Sequence, residues 1–100
     1  MHKLIVLYKK PEDVDAFMTH YNEVHIPIVN TIPGLKECIV NKVTGNPMGG
    51  EPDYFMTVEM CFETKEDFDT GMRSPENMAA GKDIGNFARG LVTLMTAQTD

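Results

Sequence analysis

Apolar residues occupy both parities of the opening segment, Lys3 to Tyr8 (KLIVLY). That pattern predicts a strand covered on both faces, ended by Lys9-Lys10. The period then changes. Val14, Phe17, Met18 and Tyr21 recur at helical spacing. Pro11 suits the first turn of a helix, and Glu12 and Asp13 suit its positive end. This helix is expected to fray near Val24, with a second short turn beginning at Pro27 and a tight turn at Pro33-Gly34. Leu35 to Thr44 alternates, with Leu35, Ile39 and Val43 on one parity and Cys38 and Val40 on the other, predicting a second strand. A Gly/Pro-rich loop, residues 45–53, leads to a third strand over Tyr54 to Phe62.

Thr64 and Asp67 form a capping signal for a helix carrying Phe68 and Met72. Ser74-Pro75-Glu76 restarts it, with Met78, Ala79, Ile84, Phe87 and Ala88 as its expected apolar positions and Gly81 and Gly85 as weak points. Gly90 ends it. Leu91 to Ala97 is the last predicted strand, and residues 98–100 are expected to be a tail. The order is β-α-β-β-α-β, an α+β, ferredoxin-like fold with a four-stranded antiparallel sheet, in one domain spanning residues 1–100.

With both helices on one face of such a sheet, the other face should be polar wherever it meets water. Instead Ile5 and Leu7, Phe55 and Cys61, and Val92 and Leu94 oppose equally apolar residues on the alternate parity of their strands. A bare apolar sheet face is abnormal on a monomer. A homodimer that packs one sheet on another is the expected remedy, giving a dimeric α+β barrel.

Composition narrows the partners. The 100 residues carry a net charge of −6, with 42% apolar and 24% charged residues. Scattered Lys and Arg on an acidic chain argue against nucleic acid and against an anionic membrane surface. No apolar run approaches a membrane span, and no secretory leader is expected. A cytoplasmic location is therefore the expected default, and Cys38 and Cys61, which lack metal or redox spacing, are expected as buried reduced thiols. The eight Met residues read as adaptable core filler.

Candidate chemistry centres on one segment. Tyr21 and His25 lie four apart near a helix end, and imidazole titrates near neutrality. His25 is the candidate general acid or base, with Tyr21 beside it to orient it or to donate to an oxygen. His20 and His25, five apart, should point away from each other, so with Glu23 they make no metal set. No metal and no cofactor is expected, and His2 is expected to be an exposed terminal residue. Glu59, flanked by Val58 and Met60, is expected to be partly buried and either to pair with Lys or Arg across the sheet or to serve as a second acid or base at a ligand, which Met56 and Phe87 are also expected to contact. Lys82 and Asp83 read as an exposed ion pair. The loop from Gly45 to Gly50 lacks the ending of a phosphate cradle.

These residues also carry a resemblance. Tyr21-Asn22-Glu23-Val24-His25-Ile26-Pro27-Ile28-Val29, followed by Ile32-Pro33-Gly34-Leu35, resembles the EthD family motif, a Tyr-x-x-x-His-x-Pro segment leading into Ile-Pro-Gly-Leu. Gly45-Asn46-Pro47-Met48-Gly49 and Ala80-Gly81-Lys82-Asp83 also look like small bacterial members. The resemblance implies a dimeric α+β barrel and maps the family's His and Tyr onto His25 and Tyr21. Just before His25, where the family usually has a second histidine, stands Val24. The wider superfamily includes lactone isomerases, polyketide cyclases, small monooxygenases and haem proteins. The expected activity is therefore the binding or transformation of a small hydrophobic metabolite by His-assisted isomerisation, cyclisation or oxidation. The alternative is a non-catalytic carrier beside an oxygenase.

Overall fold

The computed structural model describes residues 1–99. Strand β1 (His2–Tyr8) leads into α1 (Val14–His20), a single π-helical turn (Tyr21–His25) and α2 (Ile26–Val29). Strands β2 (Leu35–Lys42) and β3 (Met56–Phe62) follow, then α3 (Lys65–Met72), α4 (Pro75–Phe87) and β4 (Val92–Gln98). The sheet is antiparallel throughout, in the order β2-β3-β1-β4. This is the ferredoxin-like arrangement that the alternation of periods predicts.

The caps follow local chemistry. Thr64 and Ser74 accept hydrogen bonds from the backbone N–H groups of Asp67 and Asn77, as expected of helix N-caps. At α1 the cap is Asp13, which accepts from Ala16 N–H, so the helix begins three residues after Pro11 rather than at it. Gln98 pairs with His2 and belongs to β4 rather than to a tail; Asp100 lies outside the described residues. His2 itself is half-buried in β1, with its ring 6.5 Å from that of Phe68.

One face of the sheet carries Leu4, Val6 and Tyr8 beside Met56, Val58, Met60 and Phe62, and packs under the helices. Full burial of each such side chain contributes about 1.5–3 kcal/mol. Phe17, Tyr21, Val29 and Ile32 supply the helical side of the core, with Ala80 and Ala88 of α4. Met78 and Ala79 point to solvent instead, because α4 turns Ala80, Ile84 and Phe87 inward. A β-bulge between Leu35 and Glu37 shifts the register of β2, placing Leu35 opposite Phe62 on the core side while Ile39 faces the other way. Two residues of the predicted alternation thus sit on opposite faces.

The other face of the sheet is mixed. In register across it lie Ile39, Glu59, Ile5 and Met95, flanked by Leu7, Cys61 and Ala97. Lys3 donates to Glu59 at 2.9 Å, so the central carboxylate is paired. The molecule is a slab of 40 × 31 × 18 Å. Its 6341 Å² of accessible surface exceeds the roughly 5,700 Å² expected of a compact monomer of this mass. Among the described residues no helix is long and apolar enough to cross a membrane.

Gly71 marks the tightest approach of helix to sheet. A Cβ there would lie 2.6 Å from Cε2 of Phe62 and 3.0 Å from the carbonyl oxygen of Pro33. Phe62 is fully buried and has no room to retreat. Gly71→Ala should therefore lower stability by about 1–3 kcal/mol, read as a lower urea midpoint with unchanged slope.

Candidate functional site

The π turn builds the site. Ile26 N–H bonds to the carbonyl of Tyr21, five residues back, which widens the helix by one residue. Backbone angles stay helical through His25 and Ile26, so Pro27 continues the path rather than bending it away. In this wider turn, residues five apart share a face. His20 and His25 therefore converge, contrary to the expectation that they diverge.

They converge on Asp83 of α4. His25 Nδ1 lies 3.0 Å from one carboxylate oxygen and His20 Nε2 lies 2.8 Å from the other. Asn86 Nδ2 donates to the second oxygen at 3.2 Å. Asp83 is 5% exposed, so it is a buried carboxylate and not half of a surface ion pair with Lys82. The reason is its place in the inward stripe of α4, between Ala80 and Phe87. That three- and four-residue spacing is the signal in the sequence that would have revealed it.

The electrostatics assign the protons. Burial pushes the Asp83 carboxyl up, but hydrogen bonds from His20, Asn86 and His25 outweigh it and hold the group below its ordinary range. An ionised Asp83 only accepts, so His25 carries its proton on Nδ1 and leaves Nε2 with a free lone pair. Burial also holds His25 below the ordinary imidazole value, partly opposed by Asp83. Tyr8 and Tyr21 are both pushed far up by burial, so both remain protonated donors. Burial raises the thiols of Cys38 and Cys61 as well, leaving them unreactive.

His25, Tyr21, Tyr8 and Cys38 share one cavity of about 100 Å³ between helices and sheet. Leu4, Val6, Val58 and Met60 form its floor. Among the described residues, no buried side-chain polar atom lacks a partner. Neither tyrosine hydroxyl nor His25 Nε2 has a hydrogen-bond partner among the described residues, and all three residues line the cavity. The tyrosine rings lie 5.9 Å apart, and that of Tyr21 lies 5.6 Å from His25. An imidazole and two phenols thus line one small apolar space. Tyr8 is the member that sequence reading missed, because it looked like the end of an ordinary strand.

The other residues expected at a ligand lie elsewhere. Glu59 is on the opposite face of the sheet, paired with Lys3. Met56 is fully buried in the core. Phe87 packs behind the imidazoles, 4.8 Å from the ring of His20 and 5.0 Å from that of His25. Among the described residues, no group of three or more His, Cys, Asp or Glu is arranged to hold a metal ion.

The EthD domain model matches residues 9–90. The chain belongs to the EthD family. An EthD family protein from Bacillus halodurans, solved at 1.40 Å, is 41% identical, with a TM-score of 0.93 over 100% of this chain and 99% of that one. An uncharacterized 11.0 kDa protein in the thcB-thcC intergenic region of Rhodococcus erythropolis is 34% identical over 98 residues, covering 95% of this chain and 91% of its relative. A dimeric protein of unknown function and ferredoxin-like fold from Bacteroides fragilis shares the fold at 20% identity, with a TM-score of 0.65 over 98% of this chain and 95% of that one. In this EthD chain His25 lines the cavity, and His20, five residues earlier, is a second imidazole on the same carboxylate of Asp83.

The two depressed groups set an acid limit on stability. Below about pH 6.5 the unfolded chain protonates His25 before the folded one does, so stability falls with pH. Asp83 behaves likewise below about pH 4: its contribution is complete above that value and is lost as pH drops through the folded one. Urea midpoints should therefore decline in two stages on acidification. His25→Gln should remove the upper stage and leave the lower one in place, since His20 and Asn86 still donate to Asp83.

Proposed function

We propose that this EthD-family chain is a cytoplasmic homodimer that binds the reacting end of a small, mostly apolar carbonyl compound and moves a proton α to the carbonyl. The observation that carries the reading is the pairing of a neutral imidazole, its Nδ1–H fixed on Asp83, with two protonated phenols in one apolar cavity. His25 Nε2 accepts the α-proton. Tyr21 donates to the carbonyl oxygen as negative charge develops there, with Tyr8 as a second donor. Asp83 stabilises the imidazolium that forms. In a substrate with a conjugated double bond, return of the proton to the γ-carbon of the dienolate completes an isomerisation; attack by the enolate carbon on a second carbonyl of the same molecule, with the imidazolium returning its proton to the new alkoxide, completes a cyclisation.

The test is solvent-deuterium uptake α to the carbonyl of a small cyclic ketone, followed by NMR with and without protein. Accelerated uptake that saturates with ketone supports the reading. Saturable binding with no uptake would make the protein a carrier of such compounds, and no binding would end both readings.

Dimerisation rests on the slab shape, the excess surface and the Ile39, Ile5 and Met95 row with its neutralised Lys3–Glu59 pair. The ferredoxin-like protein from Bacteroides fragilis is itself dimeric. Ile5→Glu would place a second carboxylate beside Glu59, its register partner. That variant should sediment as a folded single subunit where the parent sediments as two. A parent that stays a single subunit at high concentration would refute the dimer.

A further inference from the structure

Two glycines in α4 have no explanation within the chain. Gly81 and Gly85 sit four apart in the interior of a 13-residue helix, where glycine is the poorest ordinary residue after proline. Neither has a positive φ. A Cβ built on either meets no atom within 4 Å, so packing does not demand glycine at either position. Gly71, whose Cβ would strike Phe62, shows what such a demand looks like. Both positions leave open surface along one face of α4, free for a bound molecule.

The cavity supplies its identity. Gly81 is exposed and lines the same space as His25, Tyr21 and Tyr8. These three residues are each at least nine-tenths buried, and neither tyrosine hydroxyl nor His25 Nε2 has a partner among the described residues. Leu94 of β4 lines it too and is 56% exposed. The mouth therefore lies between α4 and β4. About 100 Å³ holds only the end of a metabolite, well below the roughly 300 Å³ at which whole-ligand pockets begin. The remainder has to leave through that mouth. Met78, 62% exposed, precedes Gly81 by three residues and extends the apolar surface along α4. A second copy of the chain is a poor occupant, because the proposed dimer uses the opposite face of the sheet.

We infer that the substrate is a carbonyl compound bearing an unbranched apolar chain, which leaves the cavity over Gly81 and runs along α4 past Gly85, against Leu94. This rests on the carbonyl-binding reading above and adds its substrate class. It makes Gly81, Gly85 and Leu94 determinants of chain length.

The probe is the series of straight-chain methyl ketones from 2-butanone to 2-decanone, titrated into the intact protein and read at the ring Cε1–H resonance of His25. Affinity should rise about two- to fourfold per added methylene, the gain from burying each CH₂. Gly85→Leu should collapse the ratio of 2-decanone to 2-butanone affinity by at least tenfold. Gly85→Ala should raise the melting temperature while reducing that ratio, a combination that a purely structural role would not give. No length dependence in the parent, or a ratio unchanged in Gly85→Leu, would overturn the inference while leaving the carbonyl site standing. The chain exit is equally overturned if the glycine variants alter dimer dissociation instead. If 2-butanone does not perturb His25 at all, the site and the chain exit fall together.

Discussion

His25→Gln should slow deuterium uptake α to a bound carbonyl by about 10²–10⁴-fold, the range ascribed to a positioned general base. Glutamine keeps a polar group of similar reach but offers no titrating nitrogen. Binding should survive, because most of the cavity wall is aliphatic and both tyrosines remain. The loss belongs in the rate at saturation and not in the ketone concentration that half-saturates, as expected of an interaction made in the transition state. In the parent protein the uptake rate should rise with pH through a midpoint below the ordinary imidazole value, because burial holds His25 down. His25→Gln should erase that titration. Equal rates in the two proteins would remove His25 from the chemistry altogether.

Asp83→Asn is the second large effect, and it acts at one remove. Asp83 accepts from His20, His25 and Asn86, and an amide of the same size cannot accept all three. The amide presents N–H where the carboxylate presented a lone pair, so His25 is driven to carry its proton on Nε2, facing the cavity. The base is then in the wrong tautomer, a fault worth up to about 10⁴-fold where a buried aspartate orients a catalytic histidine. Uptake should fall by about 10²–10⁴-fold while the fold is retained at a stability loss of about 1–3 kcal/mol. Nitrogen NMR of the His25 ring separates this from general damage: the tautomer should reverse in Asp83→Asn at neutral pH. Its residual titration should also move to lower pH, because the carboxylate no longer offsets burial. If the tautomer reverses and the rate holds within a factor of three, Asp83 is a structural residue only.

Asp83 also shows where sequence reading stops. Lys82-Asp83 has the look of a surface pair, and only the orientation of α4 reveals that Asp83 shares the inward stripe of Ala80 and Phe87. The role of His20 is hidden for a related reason. At 3.6 residues per turn, positions five apart diverge, and the π turn that reverses this leaves no clear mark in composition. Tyr8 reaches the cavity because β1 lies near the centre of the sheet beneath both helical layers, a matter of strand order. Glu59 follows the opposite course: its strand is legible, but parity puts it on the far face beside Lys3.

Local chemistry determined much on its own. The alternating periods, the caps at Thr64 and Ser74, the turn at Pro33-Gly34 and the motif from Tyr21 to Leu35 set the order of elements, the EthD resemblance and two of the residues that line the cavity, Tyr21 and His25. These depend on neighbours within a few positions, which a linear pattern records. Tertiary structure alone decided which carboxylate meets His25, which tyrosine joins Tyr21 and which side of the cavity is open. The first is a contact between residues 58 apart, and the others are contacts between helices and sheet, set by strand order and one widened helical turn. No periodicity in the chain encodes such distances, because the packing that creates them minimises exposed apolar area over the whole fold at once.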